Sequence, residues 1–380
     1  MPAVNTVLVV GSGLAGAATA IHLAARGVAV DLIEIKPEVA ALGSGITLQG
    51  NALRELKALG VWDQVEAAGY AFDVTGIRAP DPAGSIVAEI PDAKTGGPDL
   101  PAAMGMPRPD LARILADRAT EVGVKLRLGT TFTELSQDDG AEGGGVDVTF
   151  SDASTGRYDL VVGADGVRSW TRRALGIDLE TTSVGMGIWR VFGPRPYSVT
   201  RTDLYYGGPS FIAGYCPTGE DSLYAYIVEA AQDRSTLSPD EQLATMKELS
   251  RAYHGPWDEI RENLTDPGKV NYTWFETHVL PAPWNRGRVV LIGDAAHTCP
   301  PTIAQGGAMA LEDAVVLAEL LTVRDTLDQD LWDAFTARRF ERAKTVVDAS
   351  NQLAQWQLDH VQGDIPSLMR SIAMLTSQPA

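Results

Sequence analysis

Val7-Leu-Val-Val10-Gly11-Ser12-Gly13-Leu14-Ala15-Gly16, running on through Ala17 to Ala25, reads as a buried strand, a tight glycine turn and a helix. In that pattern Gly11 permits the turn, Gly13 lets backbone approach a pyrophosphate, and Gly16 lets the helix pack against the strand. The helix N-terminus then offers free N–H groups and a positive dipole end to phosphate. The next apolar run, Val28-Ala-Val30-Asp-Leu-Ile-Glu34, ends on a carboxylate placed to accept both hydroxyls of an adenosine ribose. An unphosphorylated ribose, as in FAD or NAD, is what such a carboxylate suits. The alternative reading is a glycine-rich turn used for helix–strand packing alone.

The rest of the chain sets the scale. Its 380 residues, 45% hydrophobic and 21% charged, are enough for one large core or two smaller ones. A formal charge of −18 argues against nucleic acid and against stable association with an anionic membrane, both of which call for excess lysine and arginine. Cys216 and Cys299 are the only cysteines, which makes no disulfide framework, metal cluster or redox pair, and a reducing cytoplasm is the expected compartment. The apolar stretch from Thr6 to Val30 is not read as a signal peptide. It lacks a basic leader and is interrupted by Gly11, Gly13, Gly16, His22 and Arg26.

Two further turns follow apolar strands. Tyr158-Asp-Leu-Val-Val-Gly163-Ala-Asp165-Gly166-Val-Arg168 puts a carboxylate on a strand-end turn, where ligands collect in parallel sheets, or else an ordinary Asp cap. Arg288-Val-Val-Leu-Ile-Gly293-Asp294-Ala-Ala-His297 repeats the pattern far down the chain. Between them, Met186–Phe192, Leu204–Tyr206, Phe211–Cys216, Leu223–Val228 and Val270–Phe275 read as short strands. One helix, Ser238 to Ala252, interrupts them, opened by a Ser238/Glu241 capping box. Earlier, Pro109 and Asp110 open a helix after Arg108; Asp138 to Gly145 reads as a hairpin tip.

Taken together, Gly11-x-Gly13-x-x-Gly16, Gly163-Ala-Asp165-Gly166 and Gly293-Asp294-Ala-Ala-His297 resemble, in order and approximate spacing, the single-component, group A flavoprotein monooxygenases, similar to salicylate and hydroxybenzoate hydroxylases. The resemblance implies an α/β fold: a Rossmann-like FAD-binding domain in three parts (1–75, 102–180, 280–330), an inserted antiparallel β-sheet substrate domain (181–279, joined by a strand and loop segment at 76–101) and C-terminal helices (331–380). It implies FAD as cofactor, NADH or NADPH as transient co-substrate, O2 and a small aromatic or heteroaromatic substrate, in a monomer or homodimer. Hydroxylation through a C4a-hydroperoxyflavin is the implied chemistry. Epoxidation, N-hydroxylation or decarboxylative hydroxylation on the same scaffold, or a non-catalytic flavin-binding protein, are the alternatives.

The same resemblance assigns residues. The first motif, with Gly11, Gly13, Leu14, Ala15 and Gly16, takes the FAD pyrophosphate, and Glu34 and Lys36 lie on the adenosine side. Arg108 reaches FAD, Gly45 and Ile46 lie near the ring, and the strand at Phe132 passes the adenine. The Asp165 turn serves both nucleotides and Asp294 meets the ribityl region. Pro300-Pro301 and Gln305-Gly306-Gly307-Ala308 lead into a helix whose N-terminus would favour negative charge on reduced flavin. Ala304 and Ala308 replace the family's usual glycine and asparagine there, leaving backbone contacts.

Strand alternation puts Tyr224 with Tyr226, and Phe211 with Tyr215, on shared faces that would line an aromatic pocket or simply pack the sheet. Arg190 is a candidate for a substrate carboxylate or for an ion pair within the sheet. Tyr215, Tyr224, His297 and Pro301 are the catalytic candidates. The position of His297 also suits a structural hydrogen bond, and Asp313 reads only as part of the following helix.

Overall fold

A computed structural model describes residues 2–39, 45–138 and 144–380. Of the expected hairpin tip at Asp138 to Gly145, residues 139–143 lie outside the described residues.

Strands and helices are numbered in chain order. The first sheet runs β18 (Asn285–Arg286), β19 (Val289–Leu291), β12 (Leu160–Gly163), β1 (Thr6–Val10), β2 (Ala29–Glu34), β8 (Lys125–Leu128). All its ladders are parallel except β18–β19. Both faces are covered, as a parallel sheet requires. Val7 and Val9 enter a core with α1 (Leu14–Ala24) and α8 (Gly306–Val323). Leu8 and Val10 point the other way, against β9 (Phe132–Gln137), β10 (Val146–Phe150) and β11 (Thr155–Tyr158). Near-continuous burial along β1 is what its unbroken apolar sequence dictates.

An eight-stranded sheet stands apart: β20 (His297–Thr298), β17 (Val270–Val279), β13 (Thr182–Pro194), β16 (Ser222–Ala230), β15 (Ile212–Pro217), β14 (Asp203–Tyr205), β5 (Val74–Arg78), β6 (Ile86–Pro91). It is antiparallel apart from β14–β5, the one parallel ladder in it. Its outer face packs on α6 (Pro239–Ser250), which opens on the capping box at Ser238 and Glu241, and on α7 (Pro256–Glu262). A small sheet of β3 (Gly45–Gln49), β7 (Ala103–Pro107) and β4 (Tyr70–Phe72) lies by its inner face, with α2 (Gly50–Ala58), α3 (Trp62–Ala68) and α4 (Arg108–Glu121) behind. A short α5 (Trp170–Ala174) follows β12, and α9 (Gln329–Leu358) and α10 (Ile365–Ser377) complete the chain. Residue 75 lies within β5 and residue 330 within α9, so we propose drawing those two domain limits at 73/74 and 328/329. Among the described residues, no helix is long and apolar enough to cross a membrane.

Gly11 is fixed by this architecture. Its φ is +97°, and an added Cβ would stand 2.6 Å from the carbonyl oxygen of Ala164. Gly11→Ala should therefore destabilise the fold by about 1–3 kcal/mol from backbone strain alone, with the contact adding to it. A wild-type thermal melt, followed by circular dichroism, would show that the position does not demand glycine.

Candidate functional site

The site begins where three parallel strands end side by side. Val10 is level with Gly163, and Gly163 with Leu291. The turns that follow are forced together: a Cβ on Gly16 would lie 1.9 Å from the Gly11 carbonyl oxygen, and one on Gly293, at φ +58°, 2.9 Å from the Ala15 methyl. A Cβ on Gly307 would come within 3.1 Å of Leu14 and 3.5 Å of Ile46. Four segments remote in sequence thus share one cleft. Gly13, by contrast, is exposed, with open space where a Cβ would go. Neither α1 nor α8 has a side-chain cap at its N-terminus, so both present uncompensated N–H groups. This open cradle of backbone donors fits a dinucleotide pyrophosphate.

Two unpartnered charges face the same space. The side chains of Arg108, at the start of α4, and Asp294, in the turn after β19, make no hydrogen bond or ion pair among the described residues. Both are accessible although protein surrounds them, so the surface they expose is the wall of an internal cleft. Burial and the neighbouring Arg190 hold Arg108 below its ordinary value, and burial raises the Asp294 carboxyl against the pull of His297 and Arg108. A polar ligand would relieve both.

Other predicted residues are occupied. Glu34 accepts from the N–H and hydroxyl of Ser12, both at 3.0 Å, and from the Lys36 N–H at 3.1 Å, leaving room for further donors on Oε1. Asp165 accepts from the Ser169 hydroxyl at 2.5 Å and from the Thr171 N–H and hydroxyl at 2.8 and 2.9 Å. Its carboxylate thus anchors the start of α5, and the turn has its backbone to offer. Phe132 is buried under the sheet against Val146 and Phe150, so its ring cannot flank an adenine and only strand backbone is presented there. Ala308 is likewise buried.

Across the cleft stands the inner face of the eight-stranded sheet. Tyr224 is the residue a Cβ on Gly45 would strike, at 2.7 Å, and its ring lies 5.0 Å from that of Tyr226. Tyr206, on the same face, was missed in the sequence because alternation tells which residues share a face but not which face is inward. The hydroxyls of Tyr206, Tyr224 and Tyr226 have no partner among the described residues. Arg190 also points inward; it donates to the Thr273 hydroxyl at 2.5 Å and makes no ion pair among the described residues, so the expected ion pair within the sheet is not found there. Phe211 packs beside Ile212 and stacks near His360, with ring centroids 6.0 Å apart.

Tyr215 requires a correction. It lies on the outer face, 1% exposed, its hydroxyl donating to Asp203 at 2.7 Å and its ring edge-on to Tyr205. Phe211 precedes β15 and falls in the other cluster, so the two do not share a wall. His297 is also withdrawn from the cleft: its ring is buried beside Trp284, with Nε2 2.7 Å from Asp313. Pro301 is exposed and opens a short 3-10 turn, but has no titratable group with which to act as acid or base.

Comparison with known proteins bears on what this cleft holds. Residues 5–350 match the family described as FAD binding domain. Aurachin C monooxygenase/isomerase of Stigmatella aurantiaca is 31% identical over 360 residues, spanning 93% of this chain and 90% of that protein. For 3-amino-4-hydroxybenzoate 2-monooxygenase of Streptomyces cremeus the identity is 30% over 362 residues, spanning 92% and 86%. Klebsiella pneumoniae HpxO complexed with FAD and uric acid superimposes with a TM-score of 0.79 at 22% identity, covering 98% of this chain and 93% of that one, a likeness of fold.

Gly13→Ala separates ligand approach from folding. Its φ of −67° suits alanine and the methyl meets nothing, so the melting temperature of the FAD-free protein should hold while FAD affinity falls at least about tenfold, roughly 1.4 kcal/mol. Equal FAD titration curves for variant and wild type would place the pyrophosphate elsewhere.

Proposed function

The chain belongs to the FAD binding domain family and is an FAD-dependent monooxygenase; we propose that it hydroxylates a small aromatic or heteroaromatic ring using O2 and NADH or NADPH. One observation carries the reading. The inner sheet face offers three tyrosine hydroxyls and the Arg190 guanidinium, without acidic partners among the described residues, opposite Gly45 and the cleft shared by Arg108 and Asp294. The name of the Streptomyces cremeus relative, an aminohydroxybenzoate monooxygenase, supports a substrate of this size and kind.

In this reading Gly13 and the first turn of α1 hold the FAD pyrophosphate, Glu34 accepts from the ribose, and Asp294 and Arg108 take polar groups of the ribityl and flavin. Gly306 and Gly307 bring the α8 N-terminus to the flavin, where uncapped N–H groups and the helix dipole favour negative charge on the reduced ring. Bound FAD supplies the redox and oxygen-transfer chemistry. The chain supplies position and the exclusion of water.

Tyr206, pushed up to about 12 by burial, and Tyr226, raised further by burial and the nearby Tyr224, stay protonated at neutral pH. They therefore act as donors to a ring substituent such as a phenolate or carbonyl oxygen, and not as bases. Arg190, with five donors and no carboxylate partner among the described residues, takes an anionic substituent.

Anaerobic stopped-flow reduction by NADH and NADPH, with and without hydroxylated benzoates, pyridines and resorcinols, tests the proposal. A suitable ring should accelerate flavin reduction by about an order of magnitude without being consumed, because reduction is gated by a conformational step that substrate promotes. In air, product mass should rise by one oxygen. If no compound stimulates reduction and all oxygen consumed appears as peroxide, an oxidase replaces the hydroxylase.

A further inference from the structure

Asp313 lies behind the cleft rather than in it. Fully buried on α8, its Oδ2 accepts from the Gly293 N–H at 2.8 Å and lies 2.7 Å from His297 Nε2, so one oxygen ties both ends of the turn that carries Asp294. Its Oδ1 accepts from Arg339 Nε at 2.8 Å. The adjacent Glu312, equally buried, accepts from Arg339 Nη1 at 2.9 Å and in a bidentate pair from Arg342 Nε and Nη2 at 2.7 and 2.9 Å.

Glu312 reaches the other cofactor-facing segment through an amide. Asn51 donates to Glu312 at 3.1 Å and to the side chain of Gln305 at 2.9 Å, and Gln305 donates back to Asn51 at 3.2 Å. Gln305 is the residue preceding Gly306 and Gly307 at the start of α8. Neighbouring carboxylates therefore divide the work: Asp313 holds the Gly293–His297 turn and Glu312, through Asn51, the α8 N-terminus. A single guanidinium, Arg339, 0% exposed, joins them from α9.

We propose that Glu312, Asp313 and Arg339 are positioning residues that set the two cofactor-facing segments in register and thereby fix affinity for FAD and the electronic environment of its ring. None needs to touch the cofactor. Burial would raise the Asp313 carboxyl, but His297 and Arg339 outweigh it and hold it at about 2, so it remains an acceptor for the Gly293 N–H throughout the working range of pH. An amide at this position cannot accept from Gly293, His297 and Arg339 together, since one of its two ends is a donor. Support of this kind is what holds a site to the tolerance that binding and chemistry require.

The inference rests on FAD as the cofactor and not on the aromatic substrate, so its test needs no substrate. Asp313→Asn is compared with Ile260→Ala, which opens a cavity under α7 in the outer cluster, away from the cleft. FAD affinity and the midpoint potential of the bound flavin are measured in both. Asp313→Asn should weaken FAD at least about tenfold and shift the visible spectrum and potential, whereas Ile260→Ala should lower the melting temperature and leave affinity and potential alone. Should Asp313→Asn fail to fold, Arg339→Lys carries the test, because it keeps the charge but cannot bridge two carboxylates with a planar fork. Unchanged affinity and potential in the folded variant, or equal losses in Ile260→Ala, would sink the proposal.

Discussion

Parallel pairing in the order β19, β12, β1 is the constraint on which the site depends. Parallel strands deliver their carboxyl ends to one edge, so whatever follows each strand is brought to the same place however far apart the segments lie in the chain. Here those followers are three turns, and the closeness of Gly11 to Ala164, and of Gly293 to Ala15, leaves no space for side chains. Gly13 has room above it, as does Gly166 in the second turn. The chain makes contact wherever turns must pack and leaves a gap where a ligand's phosphates would sit.

The same edge explains how the second sheet comes to face the cleft. Strands β13 to β17 of that sheet run from Thr182 to Val279, after α5 and shortly before β18 and β19 rejoin the first sheet, while β5 and β6 join it from earlier in the chain and β20 from His297–Thr298. Both connections therefore lie near the open edge, and the sheet is free to roof it. Helices α6 and α7 cover the outer face, while the inner face keeps tyrosines whose hydroxyls have no partners among the described residues. A sheet buried only for stability would not leave three phenol groups unbonded.

How much of this was legible depends on what sequence patterns encode. The β1–α1–β2 unit, the capping box at Ser238 and the short strands around it follow from local periodicity and turn chemistry, and they form where they were read. Helix α7 was missed because its seven residues hold barely two turns of apolar pattern; Pro256, with Asp258 reaching back to the Gly255 N–H, was the available signal. Alternation correctly put Tyr224 and Tyr226 together, yet it could not say that Tyr215, one strand over, faces the opposite way. That depends on register: Cys216 pairs with Tyr224 and Tyr215 with Ala225. Nor does the spacing from Asp294 to Asp313 reveal that the second carboxylate curls back under the first turn, since the contact is made by tertiary packing of α8.

Burying Glu312, Asp313, Arg339 and Arg342 is a poor route to stability, because the desolvation of such charges commonly offsets their attraction and well-packed apolar side chains serve as well or better. Apolar groups, however, cannot hold a backbone N–H in a chosen direction. Other bonds on the Gly293 turn are one from the Ala296 N–H to the Gly293 carbonyl, one from Leu280 to the Ala296 carbonyl, the Thr298 hydroxyl on the Asp294 carbonyl and the Arg172 guanidinium on the Ala295 carbonyl, none of which holds the Gly293 N–H. Because the Asp294 carboxylate has no partner of its own among the described residues, its position is inherited entirely from the backbone on either side. The buried charges supply direction to a segment whose side chain must remain unbound until a ligand arrives, and that requirement, more than stability, accounts for ionic groups at the junction of α8 and α9.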